Sequence, residues 1–203
     1  LYYASPLPHL PLQAPEEWVN YYRKKFGKEE PYLGDAGYYP NLSPKATYAA
    51  MISYLDQQVG EIVAKLKEIG QYENTLIIFS SDNGGAHYVG LPDLNAPYRG
   101  WKMTFFEGGT HVPFFMRWPG RIEAGSEYQR PVTHIDIFST AAAVADVAVP
   151  ADREIDGVDL LPYVNGKVSD DPHEAIFWRT GTYRTVRSGD WKLQLSDPDE
   201  TAF

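Results

Sequence analysis

Not one of the 203 residues is cysteine. Disulfides and thiolate metal sites are thereby excluded, although the compartment is not fixed, since secreted bacterial proteins also do without cysteine. No apolar run approaches the roughly 18 residues that a membrane-spanning helix needs. Long basic runs are absent too. The 27 acids outnumber the 18 bases and leave a net charge of -9, a balance that phosphate backbones would repel, so nucleic acid is excluded as the expected partner. There is no internal repeat and no low-complexity tract. The chain opens on Leu1 rather than methionine, and "LYYASP" lacks the length and charge of a signal peptide. It reads as an entry into the middle of something longer.

What is present is an ordinary globular mixture with many aromatics: 15 Tyr, 9 Phe and 5 Trp. "LYY" reads as a short strand, and Pro6, Pro8, Pro11 and Pro15 force the following stretch into a rigid extended loop. "EEWVNYYRKKF" is predicted helical, with Glu16 and Glu17 in its first turn and Arg23, Lys24 and Lys25 in its last, both suiting the helix dipole. A longer helix is predicted between an N-cap at Ser43 and a stop at Gly70, with Leu55, Val59, Ile62, Leu66 and Ile69 as its apolar stripe. "TLIIFSS" follows as a continuous apolar strand, the pattern of a strand buried on both faces of a parallel sheet. A second apolar strand is predicted from Val112 to Trp118, and a helix through Ile135, Phe138, Ala142 and Val144. "AIFWRTGTYRTVRSGDWKLQLS" reads as three short strands with turns at Thr180-Gly181 and Ser188-Gly189-Asp190. The implied class is α/β: a mainly parallel or mixed sheet flanked by helices over residues 1–168, then a small antiparallel subdomain over 169–203.

"IIFSSDNGG" ends a core strand on an acid, an amide and two glycines. Asp82 and Asn83 are good turn residues anywhere. They also form the carboxylate-and-carbonyl pair that a hard cation prefers, though a calcium ion takes about 6–8 oxygens and this pair supplies only a start. Ligands in open α/β sheets gather beyond the carboxyl ends of strands. His9 and Lys102 fall at comparable positions, where each is either a solvated loop residue or a donor to an anionic group clamped on that cation.

Order and spacing add a resemblance. "PHLPLQAPEEW", "LIIFSSDNGG", "APYRGWKMTFFEGGTHVPFFMRWPGRI" and "YRTVRSGDWKLQL" together resemble the carboxyl-terminal half of the sulfatase family, from about Leu1 to Leu195. That resemblance implies an alkaline-phosphatase-like fold and hydrolysis of sulfate esters of sugars or aryl groups. It further implies a divalent cation, usually calcium, with Asp82 and Asn83 among its ligands. Lys102 matches a lysine that contacts the sulfate group. His9 matches a histidine that binds sulfate near the bridging oxygen and assists the leaving alcohol. Arg99 matches an arginine beside the pocket, and Glu107 with Gly108-Gly109 matches an architectural turn with a buried acceptor. His87, His111, His134 and His173 are read as structural, with His87 within reach of substrate from its loop.

One departure is plain. The family's nucleophile motif, Cys or Ser followed by x-Pro-x-Arg, from which its formylglycine is made, does not occur here. The acidic metal ligands that the family carries upstream are missing as well. The expectation is therefore a piece of a longer sulfatase, inactive by these residues alone and, by analogy, periplasmic or extracellular. Two alternatives stand beside it: a phosphonate monoester or phosphodiester hydrolase on the same scaffold, and a non-catalytic relative. Oligomeric state is not legible.

Overall fold

The computed structural model describes residues 1–195. They divide into two compact units, one of residues Leu1–Tyr72 with Ser80–Pro113, the other of Glu73–Phe79 with the chain from Phe114 onward.

The first unit is built on two helices. Helix α1 (Glu16–Phe26) starts after Pro15 with its two acids and ends on its three bases as predicted, and Arg23 reaches back to Glu16 at 2.8 Å. Its Tyr22 hydroxyl meets Ser53 Oγ of helix α2 (Pro44–Glu68) at 2.6 Å. Helix α2 stops in a Schellman motif: Gly70 takes a φ of 69°, its N–H donates to Lys67, and the Gln71 N–H donates to Leu66. Ser43 occupies the N-cap position, yet its hydroxyl accepts from Arg23 Nε instead of capping. The free N–H groups of Lys45 and Ala46 donate to the carboxylate of Glu29, at 2.6 and 3.1 Å. An acid from a preceding loop thus does the capping, favoured by the positive end of the helix. The predicted stripe is only half realised. Burial is concentrated in the first turns, at Ala46, Ala50, Met51 and Leu55, whereas Ile69 is 52% exposed.

A small core of Tyr32, Val89 and Leu91 anchors the loops of this unit, with Leu10, Tyr38, Tyr88 and Leu94 packed against it. The Tyr32 hydroxyl accepts from the backbone N–H groups of Ala36 and Tyr38, so a buried ring fixes the turn that presents Tyr38. Leu1 to Tyr3 form no strand and stand exposed, contrary to expectation; an apolar triplet with no partner strand has no ladder to join.

In the second unit, strand β1 (Ile77–Ser80, whose last residue belongs to the first unit) pairs with β2 (Phe114–Arg117) in a two-stranded sheet. The large parallel sheet is not present among the described residues. Strand β1 is half-buried throughout and β2 alternates, because each has only one hydrogen-bonded neighbour there. Strands β3 (Ile176–Thr180), β4 (Tyr183–Ser188) and β5 (Trp191–Leu195) form the antiparallel sheet in the order β3-β4-β5. Two-residue turns at Gly181-Thr182 and Gly189-Asp190 join them, each with a positive-φ glycine first, the requirement of a tight hairpin that follows strand twist.

Helix α4 (Asp136–Val144) corrects a second expectation. In chain order it stands between α3 (Glu107–Thr110), in the first unit, and α5 (Leu161–Val164). The apolar positions Ile135 and Phe138 are 50% and 53% exposed, while Asp136, Ser139 and Thr140 are buried. Polar satisfaction explains the inversion. Asp136 accepts from the N–H groups of Thr133 and Val158 and meets His173 Nε2 at 2.8 Å. Ser139 donates to Gly157, and Thr140 accepts from Leu160. The helix docks by its hydrogen-bonding face onto an irregular segment whose backbone would otherwise be unpaired.

Candidate active site

The site loops of the first unit are fastened by glycines. The Gly84 N–H donates to Gly109 O at 3.0 Å, and the Gly108 N–H donates to Arg99 O at 2.7 Å. A Cβ on Gly84 would overlap the carbonyl of Gly108, and one on Gly108 would overlap the carbonyls of Gly100 and Arg99. Only backbone without side chains fits this approach. The "DNGG" and "FEGG" blocks, far apart in sequence, are therefore two halves of one packed seam. Asn95 adds a clamp that sequence reasoning missed. Its Oδ1 accepts from Gly85 N–H at 2.8 Å, and its Nδ2 donates to the carbonyls of Gly85 and Gly100. An asparagine inside a long loop is an ordinary turn residue, so nothing in the sequence singles it out.

Lys102 emerges from this seam. Its N–H approaches Gly85 O at 3.5 Å, in a tight turn closed by Thr104, whose N–H donates to Trp101 O and whose Oγ1 accepts from Trp101 N–H. Met103 in that turn has a φ of 78°, a conformation that side chains other than glycine adopt at a cost. The Lys102 ammonium stands 3.5 Å from His9 Nε2 and 5.7 Å from the centre of the Tyr38 ring. The other ring nitrogen of His9, Nδ1, lies 2.9 Å from Leu10 O. A carbonyl only accepts, so Nδ1 carries a proton, and Nε2 is the ring nitrogen that faces Lys102. Both residues reach solvent: His9 is exposed and Lys102 half-buried.

Asp82 is exposed in the turn after β1, and Asn83 beside it is half-buried. Asn83 Nδ2 donates to Gly84 O at 3.2 Å and its own carbonyl accepts from Ser81 Oγ, which leaves the side-chain amide oxygen available as a ligand. The pair fits a hard cation in kind, oxygen ligands from two side chains and one negative charge, but not in number. Among the described residues no cluster of three or more His, Asp or Glu side chains could hold a metal. Arg99 lays its guanidinium 4.1 Å from the Phe106 ring centre, and its carbonyl serves the glycine seam. Glu107 is not a buried acceptor: its side chain is 31% exposed and faces His111 Nδ1 at 3.4 Å. His87 packs on Trp101 with ring centres 4.3 Å apart, its Nδ1 buried without a partner. Tyr88 stacks on Tyr38, with centres 6.4 Å apart. Burial pushes the Tyr88 phenol above its ordinary value, and the adjacent Lys102 ammonium opposes that by hydrogen bond and by charge.

The sulfatase family model matches residues 1–147. The chain belongs to the sulfatase family. An uncharacterised sulfatase of Escherichia coli K12, YdeN, is 36% identical over 180 residues, covering 89% of this chain and 29% of that protein. The N-acetylgalactosamine-6-sulfatase of the dog is 33% identical over 199 residues, covering 96% of this chain and 34% of its own length. Among solved structures, Ps i-CgsB in complex with a neocarrahexaose superposes with a TM-score of 0.75 at 31% identity, over 94% of this chain and 40% of that one. The chain thus spans about a third of these sulfatases.

Proposed function

We propose that the protein carrying these residues hydrolyses sulfate esters of a glycan, and that His9, Lys102, Asp82 and Asn83 belong to its active site. The observation that supports this reading most is the approach of Lys102 Nζ to His9 Nε2 within 3.5 Å. A cation and a proton-carrying ring, at the mouth of a rigid glycine seam, suit a tetrahedral oxyanion that develops charge in its transition state. Lys102 donates to a non-bridging oxygen. His9, with Nδ1 held by Leu10, orients Nε2 toward the leaving oxygen and passes it a proton when charged. Asp82 and Asn83 hold part of a divalent cation, and the rest of that site and the formylglycine nucleophile lie outside this chain. When bound, the cation would supply charge neutralisation on the sulfate oxygens.

The glycan preference draws on relatives: Ps i-CgsB is known in complex with a neocarrahexaose, and the canine enzyme is named for a sulfated amino sugar. No helix among the described residues is long and apolar enough to cross a membrane. The test is a rate comparison with the full-length protein on a sulfated sugar, an aryl sulfate and a phosphodiester. Preference for the sulfated sugar supports the reading. Preference for the phosphodiester replaces it with the related phosphoryl chemistry.

A further inference from the structure

An ammonium on a flexible four-carbon stem serves as an anion donor only where something restricts its arc. Lys102 Nζ has two such neighbours. His9 Nε2 is one, at 3.5 Å. The other is the ring of Tyr38, whose centre lies 5.7 Å from Nζ, inside the roughly 6 Å at which a ring face attracts a cation. Tyr38 is itself well held. Its N–H, with that of Ala36, donates to the hydroxyl of Tyr32, a residue only 4% exposed. Its ring stacks on Tyr88, with centres 6.4 Å apart. The turn that carries it is closed by the Gly37 N–H, which donates to Gly34 O at 3.1 Å, and both glycines take positive φ there. A ring fixed by its own backbone and by a stacked neighbour therefore meets the one flexible group in the pair.

We infer that Tyr38 is a positioning residue for Lys102: the face of its ring holds the ammonium beside His9, where the substrate's sulfate binds. The inference rests on the sulfatase reading of Lys102. A ring face suits this task better than an acid would. A carboxylate would pair with the ammonium and cancel the charge that the sulfate needs. The ring's quadrupole attracts the cation and leaves its charge uncancelled for an anion. The tyrosine-rich loop before α2 thereby takes a part in the chemistry beyond shaping a sugar pocket.

Tyr38→Leu tests this, since it keeps apolar bulk and removes the ring face. In the full-length protein it lowers kcat/KM for a sulfate ester about fivefold and raises the inhibition constant of inorganic sulfate in parallel. Tyr38→Phe, which keeps the face, rescues most of both. Phenylalanines bearing one, two and three ring fluorines at position 38 then weaken both step by step, because fluorine drains charge from the face at nearly constant shape. Packing alone gives no such trend, so this series decides the matter even where Tyr38→Leu folds poorly. Combined with Lys102→Ala, Tyr38→Leu has no further effect, because a residue acting through Lys102 has nothing left to position. Wild-type kinetics for Tyr38→Leu, equal losses in Tyr38→Leu and Tyr38→Phe, a flat fluorine series, or an equal loss in the Lys102→Ala background each overturn the inference. A Lys102→Ala variant with undiminished turnover would instead sink the sulfatase reading. In that event the amine-labelling rate of Lys102, read by peptide mass spectrometry, still decides whether the ring restrains it: a severalfold rise in Tyr38→Leu upholds the restraint, and no change refutes it.

Discussion

Lys102 Nζ and His9 Nε2 lie 3.5 Å apart although 93 positions separate them in the chain. His9 is oriented by Leu10 O, and Lys102 by a strained turn resting on packed glycines. The energetics of the site therefore belong to its supports.

Gly84→Ala is expected to destabilise the fold by about 1–3 kcal/mol, since its methyl group meets the Gly108 carbonyl and forces the seam apart. Gly60→Ala provides the contrast. Gly60 lies within α2, has nothing within 4 Å of an added Cβ, and carries no positive φ. There alanine stabilises by about 0.5–1 kcal/mol through helix propensity. Urea unfolding of the two variants, with opposite signs of shift, checks the pair.

Met103→Gly is expected to raise stability by about 1 kcal/mol, because glycine takes the φ of 78° without the cost that methionine bears. Met103→Val, with a β-branched side chain in the same conformation, is expected to lower it. Met103 is 63% exposed, so lost packing does not confuse the comparison. Thermal midpoints of both variants measure it.

The fold was legible where local chemistry decides it. Acids and bases at the two ends of α1, Gly70 after α2 and the glycines of both hairpins each act within a few residues of their own position, and those elements stand where the sequence puts them. Long-range relations were not legible. Nothing near Ser43 announces that Glu29 caps α2, and nothing in "DIFSTAAAV" says that its polar face turns inward, since the partners at Val158, Leu160 and His173 come later in the chain. A continuous apolar strand suggests burial on both faces, but burial depends on how many strands stand beside it, and among the described residues β1 has one. At the site, residue types suggested Lys102 and His9, whereas the seam, the Asn95 clamp and the Tyr38–Tyr88 stack arise only when distant loops fold together.

Asp136→Ala is expected to cost about 3 kcal/mol, as it strands the N–H groups of Thr133 and Val158 and the ring of His173. The loss should leave the first unit's hydrogen-exchange protection intact, because every partner named lies in the second unit. Chemical denaturation combined with hydrogen exchange separates the two.

Asp82→Asn preserves shape and oxygen-ligand chemistry while removing the one charge that this pair offers a cation. Calcium affinity of the full-length protein is expected to fall at least about tenfold, measured by isothermal titration after chelation. Unchanged affinity would place the cation elsewhere.

The most direct measurement is the effect of Lys102→Ala on sulfate ester hydrolysis by the full-length protein. kcat/KM is expected to fall by about 10²–10³, the loss typical of removing one donor to a developing oxyanion, with folding unaltered. Wild-type kinetics in that variant would contradict it.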